Sequence, residues 1–201
     1  MSILQAILLG LIQGAAEFLP VSSSGHLVIV PWLLGWDSPT LTFDTVVHLG
    51  TLIAVIVYFR QDIISLLRAW WDSVRARKIE TAQARLAWLL IAASVPGALL
   101  GYLLDDWFEQ MFSAPAIAAA LLLVTGVLLV TSERLGKRER SLDAMKWPDA
   151  LWIGLAQALA IAPGLSRSGA TISAGLFRGF ERDEAARFSF LLGIPIIAGS
   201  A

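Results

Sequence analysis

Cysteine is absent from the 201-residue chain, which excludes a disulfide framework and any thiolate metal site. Charge is scarce as well. Asp, Glu, Lys and Arg make up 15% of the residues, whereas soluble domains carry about 25%. The first 36 residues hold no Lys or Arg and one carboxylate, Glu17. They therefore lack the basic start of a signal peptide, and the apolar runs that follow are too many for one. What is abundant is hydrocarbon: 57% of the residues are hydrophobic, mean hydropathy is +0.71, and there are eight Trp. A soluble domain is excluded, and the expected class is an all-α polytopic integral membrane protein.

The distribution of charge gives the topology. Of fifteen Lys and Arg, six lie in Arg60–Arg85, five in Arg134–Lys146 and three in Arg178–Arg187. These clusters are expected to be loops on the cytoplasmic side. The remaining basic residue, Arg167, stands alone in an apolar stretch. Full spans are expected at 41–59, 86–104, 115–132 and 185–201, each near the length a bilayer requires. Asp105, Asp106 and Glu109 would lie in an exterior loop. Trp70, Trp71, Trp88, Trp107 and Trp147 fall near predicted ends, as interfacial anchors do.

Residues 1–36 and 148–180 do not fit this pattern of spans, because each is apolar and broken in the middle. In the first, Gln13 and Glu17 share a helix face. Pro20 disfavours helix at the residue before it, and Ser22-Ser23-Ser24-Gly25-His26 then offers a cap for a new helix. A shift of 144 places Gly10-Leu11 on Gly154-Leu155, Gln13 on Gln157, Ser22 on Ser166, Ser24 on Ser168 and Gly25 on Gly169. Leu49-Gly50 falls near Leu192-Gly193 at a shift of 143. The charge pattern gives the copies opposite orientations, so two re-entrant hairpins are expected to meet near the bilayer midplane, as inverted repeats do. One integral membrane domain, 1–201, would thus contain repeat 1 over about 1–60 and repeat 2 over about 148–201. An inverted copy of 86–132 would add two spans beyond Ala201, making six.

The second break reads Ala162-Pro163-Gly164-Leu165-Ser166-Arg167-Ser168-Gly169-Ala170-Thr171. An arginine at the centre of a membrane helix costs ~2.5–3.5 kcal/mol on insertion scales. Arg167 is therefore expected to meet Glu17 or a bound anion. Ser166, Ser168 and Thr171 supply hydroxyls, and the helix beginning near Gly169 directs free N–H groups at the break. Helix N-termini hold anions, and the guanidinium fork suits phosphate oxygens. Ser22–His26 provides a second such end. Taken singly, these serines would bond their own backbone, Gly10 and Gly14 would serve helix packing, His48 would be a polar packing residue, and Asp44 would lie near the outer interface.

Gln13-x-x-x-Glu17 followed by Phe-Leu-Pro-Val-Ser-Ser-Ser-Gly-His26, with Pro163-Gly-Leu-Ser-Arg-Ser-Gly-Ala-Thr171, resembles the bacterial undecaprenyl-pyrophosphate phosphatase family, also called the bacitracin-resistance protein family. The two stretches match its (E/Q)xxxE and PGxSRSxxT patterns, and the similarity runs along the whole chain. The family usually continues through two more membrane helices. The resemblance implies hydrolysis of a C55 polyprenyl diphosphate to the monophosphate carrier lipid at the outer face of the bacterial inner membrane, during recycling for peptidoglycan synthesis.

The residues suit that chemistry on their own terms. Arg167, Ser22, Ser24, Ser166, Ser168 and Thr171 would bind phosphoryl oxygens. Ser23 is the expected nucleophile and His26 the proton carrier. His26 as nucleophile, or a water activated by Glu17, stands as the alternative. Gln13 and Glu17 could instead hold Mg²⁺ or Ca²⁺ bridging the diphosphate, although two oxygen donors are a thin ligand set. The expected partners are the lipid diphosphate, membrane lipid and a second copy of the chain as a homodimer, with no nucleic acid. A lipid-phosphate transporter or flippase would need the same cradle, and a scaffold subunit would leave Arg167 unexplained.

Overall fold

The computed structural model describes residues 1–104, 107, 111 and 114–200. The proposed exterior loop residues Asp105, Asp106 and Glu109, and Ala201, lie outside the described residues. Among those described there are nine α-helices and no named strand. Helices α1 (Ile3–Phe18) and α2 (Ser23–Leu34) form the first broken pair, followed by α3 (Leu41–Tyr58), α4 (Arg60–Ala76), α5 (Ala82–Leu103) and α6 (Pro115–Leu135). The second broken pair is α7 (Trp147–Leu159) and α8 (Arg167–Phe177), and α9 (Arg182–Ser200) closes the described chain.

Local chemistry sets these boundaries. Ser2 and Gln5 form a capping box at the start of α1. Thr40 and Thr81 cap α3 and α5 through their hydroxyls, and Pro115 occupies the first turn of α6, where a missing N–H costs nothing. Gly35, with φ 64°, ends α2 in the left-handed conformation. Helices α3, α5 and α6 are long and apolar enough to cross a membrane. At 16 and 12 residues, α1 and α2 are shorter than the ~20 that a crossing needs.

Helix α5 packs most extensively on α7, and α8 fills the angle between α7, α6 and α9. Leu89 and Ala93 of α5, Ile153 of α7, Ala174 of α8, and Phe188 and Leu192 of α9 share one buried cluster. Helix α6 also lies along α2, while α3 packs on α9 and α1. The longer helices thereby bracket the two broken pairs, while α1 and α7 each keep one face on the outside, as Leu4, Leu11, Trp152 and Leu155 show.

Ion pairs tie the three basic clusters together. Arg187 of α9 meets Asp62 of α4, Arg182 meets Glu133 of α6, and Arg140 and Arg178 converge on the buried Asp149 of α7. These segments therefore share one end of the molecule. Since α3 runs from the opposite end to reach α4, the α1–α2 pair approaches from that opposite end, and α7 departs from the basic end.

Two expectations change, those for 60–85 and for the last span. Arg60–Arg85 is not a loop through most of its length, because Ile63, Leu66 and Trp70 form an apolar helical face packed near Leu86 and Ala87 of α5. Trp70 and Trp88, near the helix ends as expected, also meet each other at a tilt of 55° with centroids 6.1 Å apart, and Trp88 Nε1 donates to Ser73 Oγ at 3.0 Å, so this pair joins α4 to α5. The expected span 185–201 is helical from Arg182, but Arg182, Asp183, Glu184 and Arg187 occupy its start. Its apolar run therefore begins only at Phe188.

Candidate functional site

The two breaks lie against each other. A Cβ on Gly25 would stand 2.9 Å from Gly164 Cα, and one on Gly169 would stand 3.1 Å from the Pro20 carbonyl oxygen. At the shift of 144, Gly25 corresponds to Gly169 and Pro20 to Gly164. Each new helix thus starts against the turn of the other pair, and only glycine permits the approach.

The helix starts share their wiring. Ser22 Oγ accepts from Gly25 N at 3.2 Å and lies 3.3 Å from Ser24 Oγ; Ser166 Oγ accepts from Gly169 N at 3.0 Å and lies 3.3 Å from Ser168 Oγ. Their backbones differ. Ser22 has φ 64°, whereas Ser166 has φ −63°. A left-handed serine costs on the order of 1–3 kcal/mol. Ser22 is held there by its hydroxyl cap and by its carbonyl, which accepts from His26 N at 3.3 Å and from His26 Nδ1 at 2.7 Å.

Ser23 and Arg167 open their respective helices and correspond at the same shift, and both side chains reach Glu17. Ser23 Oγ donates to Glu17 Oε2 at 2.7 Å, and Arg167 forms an ion pair with Glu17 Oε1. Gln13, one turn before Glu17, donates its amide to Oε2 at 3.0 Å. Glu17 is 7% exposed and Gln13 fully buried. The carboxylate is stable at this depth because a guanidinium balances its charge and two neutral donors complete its hydrogen bonds.

Other residues shape the surroundings. A Cβ at Gly193 of α9 would overlap the Arg167 guanidinium, so bare backbone forms its seat. Thr125 of α6 donates to Gly164 O at 3.1 Å and accepts from Ser166 N at 3.0 Å, fixing the second turn. Ser168 Oγ lies 3.4 Å from Glu17 O. Thr171 points away from the break, with its hydroxyl 2.6 Å from Ser189 Oγ and bonded to Arg167 O at 2.8 Å. His26 uses Nδ1 on Ser22 O, leaving Nε2 for other work.

His48, expected as a polar packing residue, lies beside the site. Its Nε2 lies 3.8 Å from Glu17 Oε2. Its only signal in the sequence is a titratable side chain at mid-span. Thr125 and Gly193 carried still less, since both residue types are ordinary in membrane helices.

Gln13 and Glu17 do not suit a resident divalent ion. Glu17 already pairs with a cation, Gln13 turns its N–H₂ toward that carboxylate, and no group of three His, Cys, Asp or Glu that could hold a metal occurs among the described residues. Hard cations take six or more oxygen ligands, so most positions around an ion here would fall to water or to phosphate oxygens.

The fold and its buried centre define a class: a helical membrane protein whose two broken hairpins enclose a carboxylate–guanidinium pair ringed by hydroxyls and helix N-termini. The family model described as bacitracin resistance protein BacA matches residues 6–201, and the chain belongs to that family. It is 49% identical over 201 residues to a protein named undecaprenyl-diphosphatase from Moorella thermoacetica, covering 100% of this chain and 75% of the relative. It is 48% identical over 208 residues to one of the same name from Thermomicrobium roseum, with 100% and 75% covered. A third from Geobacter metallireducens is 49% identical over 202 residues, with the same coverage.

Proposed function

We propose that this chain is a membrane phosphatase that hydrolyses undecaprenyl diphosphate to undecaprenyl phosphate and inorganic phosphate, serving the carrier-lipid cycle of cell-wall synthesis. The observation that carries the mechanism is the convergence of Ser23 and Arg167, each opening a helix, on the single buried carboxylate of Glu17.

A diphosphate concentrates negative charge, so catalysis is largely positioning and electrostatic stabilisation. Arg167 turns its guanidinium from Glu17 to the terminal phosphoryl oxygens. Ser22, Ser24, Ser166 and Ser168 complete the cradle with the N–H groups of α2 and α8. Thr171 reaches a phosphate only by releasing Ser189, so its main role is to hold α8 against α9. Ser23 Oγ attacks the terminal phosphorus and passes its proton to Glu17. The bond from that phosphorus to the bridging oxygen breaks, and the lipid monophosphate leaves with the electron pair. His26 supplies a proton to the departing oxygen through Nε2. Once Glu17 has released that proton, water attacks the phosphoserine, Glu17 takes one proton from the water and hands it to the serine oxygen, and inorganic phosphate departs. Any divalent cation the reaction uses arrives as the counter-ion of the diphosphate.

The same reading sets the protein in the bacterial inner membrane, and the charge rule supports a cytoplasmic position for its basic end. The approach of α1 and α2 from the opposite end supports a site that opens outward. Detergent-purified protein should release inorganic phosphate from a polyprenyl diphosphate, and a ³²P label on the terminal phosphate should pass transiently to Ser23. Absence of release overturns the function. Release with unchanged turnover in Ser23→Ala overturns the nucleophile. A carrier using the same cradle would bind the lipid without forming a phosphoserine.

A further inference from the structure

Glu17 gains a proton whenever Ser23 loses one, and that proton must leave a carboxylate that is 7% exposed. One neighbour is arranged to take it. His48 Nδ1 lies 2.7 Å from the Asp44 carbonyl oxygen, an acceptor only, so Nδ1 carries the ring hydrogen and the Nε2 lone pair is free. That Nε2 lies 3.8 Å from Glu17 Oε2, the oxygen bonded to Ser23 Oγ. The His48 side chain is 27% exposed, whereas that of Glu17 is 6% exposed. We propose that His48 is a positioning residue that relays the nucleophile's proton from Glu17 to water, a role that rests on the phosphatase function above.

The proton count is simple. The Ser23 O–H bond breaks and Glu17 Oε2 gains the hydrogen. Glu17 then passes it to His48 Nε2, forming an imidazolium beside the restored carboxylate, and the imidazolium loses it to water. The Asp44 carbonyl keeps the ring oriented in both charge states.

The charged groups around His48 agree with this direction of transfer. Glu17 is the only titratable side chain on α1, and Arg167 of α8 acts on His48 through it. On α3 itself Asp44 lies one turn away. The titratable groups of α9, Arg182, Asp183, Glu184 and Arg187, occupy its first turns at the basic end. Those of α4 begin at Arg60, beyond the end of α3. The imidazolium is therefore flanked by two carboxylates.

The test is the pH dependence of phosphate release by the full chain in wild type, His48→Gln and His48→Ala. Glutamine keeps a polar group of similar reach but cannot carry the proton. Its kcat should fall about a hundredfold or more, the low end of the range for placed proton-transfer groups, with KM within about twofold. One ionisation should vanish from its kcat profile, and added imidazole should restore part of the His48→Ala rate. A wild-type kcat and profile in His48→Gln, with the wild type active, would overturn the relay alone. Failure of imidazole to restore any rate to a folded His48→Ala would also overturn it. An inactive wild type would remove the phosphatase function and the relay with it.

Discussion

Removing Arg167 should damage stability and activity together, and only a second substitution separates the two. In Arg167→Ala, Glu17 keeps its hydrogen bonds from Ser23 and Gln13 but loses the cation that balances it at 7% exposure. Breaking a buried ion pair by deleting one partner costs ~3–5 kcal/mol. Because the Arg167 side chain is 19% exposed, some water reaches the pair, and the lower limit of about 3 kcal/mol is expected. On the scale of a globular chain of this length, that is a fall in Tm of roughly 6–12 °C. The double variant Glu17→Gln/Arg167→Met removes both charges and keeps the volume, so its stability should return to within ~1 kcal/mol of wild type. Its phosphate release should not return. Unfolding can be followed in detergent by the fluorescence of the eight Trp, alongside turnover of a polyprenyl diphosphate. A double variant that regains wild-type turnover, or Arg167→Ala within tenfold of wild type, would refute the assignment of this pair to catalysis.

Gly193→Ala should force the guanidinium off its seat, lowering kcat by about tenfold per 1.4 kcal/mol of lost positioning; unchanged kinetics would show that Arg167 does not use this seat during turnover. Thr125→Val deletes both hydrogen bonds to the second turn and leaves Ser166 N–H buried without a partner, a loss of about 1–3 kcal/mol measurable as a lowered Tm. Elemental analysis of purified protein should find divalent metal well below one ion per chain, and stoichiometric metal surviving dialysis would contradict the donor count at Gln13 and Glu17.

The parts of the site that were legible in the sequence are those where polarity contradicts its surroundings. Glu17 and Arg167 are costly in an apolar stretch, so each demanded a partner, and the structure pairs them with each other. The serines were legible as helix caps because a proline or glycine turn precedes them. His48, Thr125 and Gly193 were not, because each sits in an unbroken helix where its residue type is unremarkable. Their meaning depends on which helix face meets the break, a fact of three-dimensional packing. Helix α4 was hidden because its charges resemble those of a loop. The apolar face that makes it a helix is used only against α5 and its neighbours.

Each hairpin's turn is the floor on which the other's helix begins, with Gly25 resting on Gly164 and Gly169 on Pro20. Neither half therefore holds the proposed centre by itself, and severing the chain between them should give two fragments that are inert apart. A drug that slipped between the turns would need to touch no reacting atom, since prising them apart would dismantle the centre from both sides at once.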